Sequence, residues 1–424
     1  MFPQQSRQKT KPTVALKFCA CSTLIVKVAH LSTSMLGGAG MAAKRSHLAL
    51  VAAKVDSTIY TLSHSESEQL VANNIQVLDR TGTQRLASGA LTRFQREFIQ
   101  KGPHLVTPLS VGLPLGNLDL NRFDIVHIHS MYNLINYKTL EEILSKGCSI
   151  VISMHDQRLT TGGCHGSMGC LNFASNCQLC PQVRRIFEPI VQNSALKLRE
   201  VVNRYRDQIV LVSPSHWLAE IAKSVFPNVR VQHLFNCVDV DFSFEEFVRK
   251  NHKPLKNGIK IGFSSVDLNN SYKGLNVLLE ALRFLPTNKL EKYELALFGT
   301  GSVENLPSNL RIRQFGLIEG RELQKEFLNL DALVVPSVQD NSPNVVIEAI
   351  SLGIPVIGSD AGGIPELLQH FALPIFPNRN SKELSVILEA IPRLLEKKLD
   401  LMKARELFSP AAHGESLLQI YRSI

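Results

Sequence analysis

The feature that most constrains this chain is an alternation, kept up from end to end, of short apolar runs with segments of helical period. In the first half the strand candidates are Leu24–Leu31, Phe123–His129, Ser149–Met154 and Gln208–Ser213, with helical stretches such as Met41–Val51 and Thr139–Lys146 between them. In the second half they are Ile259–Ser264, Glu294–Gly299, Ile312–Leu317, Ala332–Ser337 and Ile354–Ser359, again separated by helical pattern. Short continuous apolar strands linked through helices predict βαβ units and a parallel α/β sheet. At 424 residues the chain is too long for one ordinary core. Two such arrays, joined by a non-periodic stretch, predict two Rossmann-like domains facing a cleft. The expected divisions are an extension over 1–22, a first domain over 23–235, a linker over 236–258, a second domain over 259–407 and a last helix over 408–424. The lysine-rich Arg249-Lys250-Asn251-His252-Lys253-Pro254 marks the linker. The amphipathic end, Glu415–Ile424, is short enough to need a partner, and packing back onto the first domain would supply one.

Hydrophobic residues at 44% and charged residues at 20% exclude a disordered or fibrous chain. A formal charge of +9 suits an anionic partner such as a nucleotide diphosphate or an acidic membrane surface. No dense Lys/Arg tract with interleaved aromatics is present, which argues against nucleic acid. No apolar run reaches 18 residues, the length a membrane-crossing helix needs. Basic positions precede the apolar run Phe18–Val28, but Lys17 and Lys27 interrupt it. The start therefore reads as an extension rather than a secretory signal.

The densest chemistry lies in Pro336-Ser337-Val338-Gln339-Asp340-Asn341-Ser342-Pro343-Asn344-Val345-Val346-Ile347-Glu348-Ala349-Ile350. A strand is expected to end at Ser337 and a loop to carry Asp340. Ser342 then suits an N-cap with Pro343 in the first helical position. Glu348 falls inside that helix among apolar neighbours, where a carboxylate is costly unless paired or hydrogen-bonded. Ribose or sugar hydroxyls would satisfy it, and so would a structural salt bridge. After the next strand comes Asp360-Ala361-Gly362-Gly363-Ile364-Pro365-Glu366-Leu367. Its paired glycines permit close backbone approach, and the N–H groups of a helix start favour an anion. In the first half, Gly37-Gly38-Ala39-Gly40 after the first strand is a Gly-rich βα turn without the full dinucleotide spacing. His155 stands at the carboxyl end of the Ser149–Met154 strand, where parallel sheets bind ligands.

The run from Ala332 to Leu367 resembles the donor-site signature of the family 4 glycosyltransferases, which are retaining enzymes of GT-B architecture. The resemblance implies that Glu348 binds the donor's ribose and that Asp340, standing where the family usually has Glu, contacts the transferred sugar. Lys273, in Tyr272-Lys273-Gly274, matches a phosphate-binding Lys-Gly step, although Ser264 to Leu268 lacks the upstream Arg of many relatives. The Gly37–Gly40 loop, with Gly38, resembles one that reaches toward the donor, and relatives place a His at position 155 against the transferred sugar. Asp340, Glu348 and His155 are thus the candidate catalytic residues, and Gly38, Lys273, Gly362, Gly363 and Glu366 the candidate donor-binding ones. The resemblance further implies a nucleotide-diphosphate sugar donor, a glycan or lipid-linked acceptor in exopolysaccharide or cell-surface polysaccharide synthesis, and no metal in catalysis. Without a membrane-length apolar run or a secretory reading of the start, a cytoplasmic enzyme is expected, and the basic surplus would place its first domain at an anionic inner-membrane face. The alternatives on the same residues are a nucleotide-sugar epimerase and a non-catalytic nucleotide-sugar-binding protein.

Four of the eight cysteines cluster as Cys164, Cys170, Cys177 and Cys180. In a cytosolic chain such a group binds zinc more often than it forms disulfides, so a structural zinc site is expected. Two disulfides are the second reading and an iron–sulfur cluster the third, and His165 is able to replace one thiolate. The run Thr161 through Pro181 also resembles a segment in glycosyltransferases of colanic acid and related exopolysaccharide synthesis. Cys19, Cys21, Cys148 and Cys237 read as ordinary thiols.

Overall fold

The computed structural model describes residues 26–64, 74–102, 105–113, 118–240, 258–396 and 398–424. The expected extension over 1–22, with Cys19 and Cys21, and the bulk of the expected linker, 241–257, lie outside the described residues.

Two wholly parallel sheets form, each with helices on both faces. The first has the order β3-β2-β1-β4-β5-β6-β7. Its strands are β1 (Lys27–Ser32), β2 (Asp56–Thr61), β3 (Ile75–Val77), β4 (Ile125–Ile128), β5 (Ser149–Ser153), β6 (Ile209–Ser213) and β7 (Arg230–His233). The second has the order β10-β9-β8-β11-β12-β13. Its strands are β8 (Ile259–Asp267), β9 (Tyr293–Thr300), β10 (Arg311–Gly316), β11 (Ala332–Val335), β12 (Val356–Ser359) and β13 (Ile375–Phe376). Both are doubly wound. The strand order reverses between β1 and β4 in one and between β8 and β11 in the other, which is where such folds open a ligand crevice.

The apolar runs follow from this layering. In the first sheet Ala29, Leu31, Val126, Ile128, Ile150 and Ile152 face one core, while Val28, Ile125, Val151 and Val210 face another. Alternate residues thus point to opposite faces, and both faces are covered. The second core is completed by the chain's last helix, Pro410–Arg422, whose Leu417 and Tyr421 pack against Val28 and Leu50. Ser409 caps that helix by accepting from the Ala412 N–H, and Pro410 occupies its first turn. The helix crosses back onto the first domain: Tyr421 Oη meets His127 Nδ1 at 2.6 Å and Ser46 Oγ meets His413 Nε2 at 2.9 Å. In the second sheet Leu333, Val335, Ala296 and Val356 face one layer, and Ala332, Val334, Leu295 and Ile357 the other.

One local expectation is corrected. The helix after β11 runs Asn344–Ser351, and its capping position is Pro343, not Ser342. The Ser342 hydroxyl is buried without a hydrogen-bond partner.

Candidate functional site

The loops after β1, β5, β8 and β11 converge on the cleft between the two sheets. From the first domain, β1 leads into the helix Gly37–Ala52, which presents Gly38 and Arg45, and the end of β5 delivers His155. From the second, the loop after β8 carries Lys273 on a short 3-10 turn, Ser271–Lys273, capped by Asn270, whose Oδ1 accepts from Tyr272 N–H at 3.0 Å. Gly274 follows at φ +73, and a Cβ there would stand 2.0 Å from the Pro336 carbonyl oxygen. Only glycine allows the β8 loop to lie so close to the β11 loop. Asp340 sits on that second loop and Glu348 in the helix Asn344–Ser351. Gly38, Arg45, His155, Lys273, Asp340 and Glu348 line a single cavity of about 350 Å³.

Glu348 is only 8% exposed, and its partner is a protein cation: Oε1 accepts from Arg45 Nη2 at 2.5 Å. Of the two ways to satisfy this carboxylate that the sequence left open, the salt bridge is the one present. Arg45 was not singled out by sequence. It stands among the small buried residues Ala42, Ala43, Ser46 and Ala49, and a charge inside such a run is the signal that could have found it. Lys273 Nζ donates to Asp340 Oδ2 at 2.6 Å, and Ser337 Oγ donates to the same oxygen at 3.3 Å. The two acidic residues of the site therefore each hold a cation that also faces the cavity.

His155 is half-buried, with Nε2 3.3 Å from His129 Nδ1, and His129 Nε2 in turn meets His30 Nδ1 at 2.9 Å. Burial lowers the His155 pKa to about 4, with the Asp156 charge acting the other way, so the ring is uncharged at neutral pH. Asp156 beside it stays ionised: burial would raise its pKa, but Arg158 and the hydrogen bond with His165 outweigh that and hold it well below the usual carboxylate range. An uncharged imidazole and a ring of compensated charges suit a polar ligand carrying hydroxyls and phosphates.

The remaining candidates are placed differently. Gly362, Gly363 and Glu366 do not line the cavity but brace the Asp340 loop against the first domain. Gly362 has φ +60, and a Cβ on it would stand 1.9 Å from the Asp340 carbonyl oxygen. A Cβ on Gly363 would lie 2.0 Å from Asn341 O and 2.6 Å from Ser215 Cβ. Glu366 accepts from the His216 and Trp217 N–H groups at 2.8 and 3.3 Å, at the start of the first-domain helix His216–Val225. Asn341 Nδ2 donates to Met154 O at 3.0 Å and Asn344 Nδ2 to Gly38 O at 3.1 Å, further ties between the domains that sequence did not flag.

Cys164, Cys177 and Cys180 are buried and Cys170 is half-buried; all four are free thiols. Cys177 Sγ accepts from Gly162 N–H at 3.1 Å. Cys180 is brought down to about 6 by its hydrogen bond with Cys164, burial acting the other way and the Gln182 and Val183 N–H groups assisting. No three of these sulfurs lie within 4.8 Å of one another, in contrast to the triads His30/His127/His129 and His216/His233/Glu366. Among the described residues no helix is long and apolar enough to cross a membrane.

Known proteins bear on this geometry. Residues 259–396 match the family described as glycosyl transferases group 1. WcaC of Escherichia coli, provisionally named as a colanic acid biosynthesis glycosyl transferase, is 24% identical over 260 residues, covering 58% of this chain. The match spans only 62% of that relative's own length. Among solved structures, HepE of Anabaena, crystallised with UDP and with UDP-glucose, shares 14% identity over 94% of this chain and 100% of its own, at a TM-score of 0.60 with UDP. A glycosyltransferase from Rickettsia africae aligns with 94% of this chain and 98% of its own at 13% identity and a TM-score of 0.59. The structural likenesses fix the two-sheet architecture as GT-B, and the family match fixes its second half: residues 259–396 are a glycosyl transferases group 1 domain.

Proposed function

We propose that this chain is a retaining glycosyltransferase that moves a sugar from a nucleotide-diphosphate sugar to a glycan or lipid-linked acceptor in the synthesis of an extracellular or cell-surface polysaccharide. The observation that carries the reading is the convergence of Glu348, Asp340, Lys273, Gly38 and His155, from two domains, on one cavity of about 350 Å³. The bound UDP and UDP-glucose of HepE, and the naming of WcaC for colanic acid synthesis, support the donor and the setting. Glu348 would accept from the ribose hydroxyls. Lys273, with Arg45 near Glu348, would offset the charge that builds on the departing diphosphate. Asp340 is neutralised by Lys273 rather than free to attack, which suits front-face displacement: the C1–O bond to the diphosphate breaks as the acceptor oxygen bonds to C1, and the acceptor proton passes to the leaving phosphate oxygen. Closure of the domains would exclude water from this step. A surplus of positive charge supports a site of action at an anionic membrane face.

The test is calorimetric titration with a panel of nucleoside diphosphates, followed by assay of nucleotide release with glycan acceptors. Saturable binding of one diphosphate, weakened in Glu348→Gln, supports the reading, and release that needs an acceptor separates a transferase from an epimerase. Binding without release under any acceptor would shift the assignment to a binding protein, and no binding at all would sink it.

We also propose that Cys164, Cys170, Cys177 and Cys180 close around a structural zinc ion, a step that needs their side chains to turn inward, since no three of the sulfurs lie within 4.8 Å of one another here. The hydrogen bond from Cys164, with the Gln182 and Val183 N–H groups, favours the thiolate of Cys180, the form that binds metal, and the Gly162 N–H donates to Cys177 Sγ although burial favours the thiol there. The left-handed backbone at Asn176, Cys177 and Leu179 marks a loop whose shape needs external support. Metal analysis of the purified chain returning less than stoichiometric zinc, with thiols free to alkylate, would exclude it.

A further inference from the structure

We infer that His216, His233 and Glu366 form a second, separate site for a divalent transition-metal ion of the zinc, nickel or cobalt class, bridging the two domains. Each offers one ligand atom, and the three atoms lie within 4.8 Å of one another. Two imidazoles and a carboxylate are a donor set such ions take up readily.

The three residues come from both sides of the domain junction. His216 begins the helix His216–Val225 and His233 ends β7, both in the first domain, while Glu366 lies in the first turn of Ile364–Gln369 in the second. The imidazoles stack with centroids 3.8 Å apart and planes 23° apart. His233 Nε2 stands 3.9 Å from Glu366 Oε2, too far for a hydrogen bond but short enough for one ion to span after a small ring rotation.

Two further observations point to a ligand. His233 Nε2 is buried without a hydrogen-bond partner, an arrangement that costs free energy unless something occupies it. Glu366 is held in place by the N–H groups of His216 and Trp217, the kind of second contact that orients a metal-binding carboxylate while leaving it free lone pairs. A purely structural role for Glu366 as a helix cap accounts for those two bonds but not for the orphaned nitrogen across from it. His370, one helical turn beyond Glu366, packs its ring on Phe235, which also packs on His233. His216 is exposed, which gives an ion a way in from solvent. None of the three residues lines the donor cavity. A bound ion would therefore act on the junction between the domains and not on the reacting atoms.

The experiment is titration of the full chain with Ni²⁺ and, in parallel, with Co²⁺, comparing wild type with His216→Ala and Glu366→Gln. His216 is exposed, and Gln at 366 retains one acceptor oxygen for the closer of the two helix N–H groups, that of His216; thermal melting of both variants checks that the fold is kept. Co²⁺ separates this site from the cysteine loop, because only thiolate ligation gives intense sulfur-to-cobalt charge-transfer absorption. The expected result is a metal equivalent without that absorption in wild type, weakened by roughly tenfold or more in each variant, while any thiolate-linked equivalent is unchanged. Loss of thiolate-free binding in wild type, or equal affinity in all three proteins, overturns the assignment.

Discussion

Arg45 and Glu348, 303 positions apart, form a nearly buried ion pair that joins the first domain to the second, with Nη2 to Oε1 at 2.5 Å and side chains 9% and 11% exposed. The pair lies in the wall of the donor cavity, so one contact both holds the domains in register and sets the charge of the site.

Removing one partner should cost more than removing both. Glu348→Leu leaves a desolvated guanidinium without its counter-charge, at a cost of about 3 kcal/mol, whereas Arg45→Met with Glu348→Leu replaces both charges by apolar volume. Denaturant unfolding of Arg45→Met, Glu348→Leu and the double variant should show the double less destabilised than either single. Additive losses would mean that the two side chains do not sense each other in solution.

Lys273 is the cation nearest Asp340, and its amine is the group best placed to meet a donor phosphate. Lys273→Met should weaken nucleoside diphosphate binding by about 2 kcal/mol, roughly thirtyfold, since one charge-assisted hydrogen bond is lost. The affinity should also depend less on salt than in wild type. Titration at two salt concentrations checks both, and unchanged affinity would remove Lys273 from the phosphate site.

How much of this was legible in the sequence depends on the distance over which each interaction is set. β5 begins at the expected Ser149 and ends one residue before the expected Met154, because a buried parallel strand is a local apolar run. β2, Asp-Ser-Thr-Ile-Tyr-Thr, was missed: its Ser57, Thr58 and Thr61 are buried yet polar, for instance with Ser57 Oγ on His47 Nδ1 at 2.7 Å, so it never reads as apolar. β7, Arg230–His233, is a half-exposed edge strand with the same problem. Asp340 and Glu348 stood out because they interrupt apolar pattern. Arg45 depends on a partner in the other domain, which no local period reveals. The histidines were invisible as a group for the same reason: His30 and His127 meet only through the parallel register of β1 on β4.

Those histidines predict an acid limit to stability. Burial, and then mutual repulsion, lowers the pKa of His30, His127 and His129 well below the ordinary value, and burial first of all lowers His155 and His413 to about 4. The unfolded chain takes up these protons near pH 6.5 while the folded chain does not. Stability is therefore complete above that pH and falls as pH drops toward 4, by about 1.4 kcal/mol per pH unit for each histidine. Asp156, whose folded pKa is depressed, adds to the loss only below about pH 4, the range of an unfolded carboxyl. Urea midpoints at pH 7.5, 6.5 and 5.5 should decline with a slope of more than one proton, and a flat profile would show the cluster to be solvated.

Two glycines separate a role in binding from a role in folding. A Cβ on Gly38 meets nothing within 4 Å and its φ is not positive, yet Gly38 lines the donor cavity. Gly38→Ala should leave the melting temperature unchanged while weakening donor binding, because its methyl projects only into space a ligand would use. Gly362→Ala differs on both counts: φ is +60 and the new Cβ would meet the Asp340 carbonyl at 1.9 Å. The Asp340 loop must shift, so melting temperature and turnover should fall together. Thermal melting read beside nucleotide titration distinguishes the two. If Gly38→Ala binds nucleoside diphosphates as tightly as wild type, the first loop does not reach the donor.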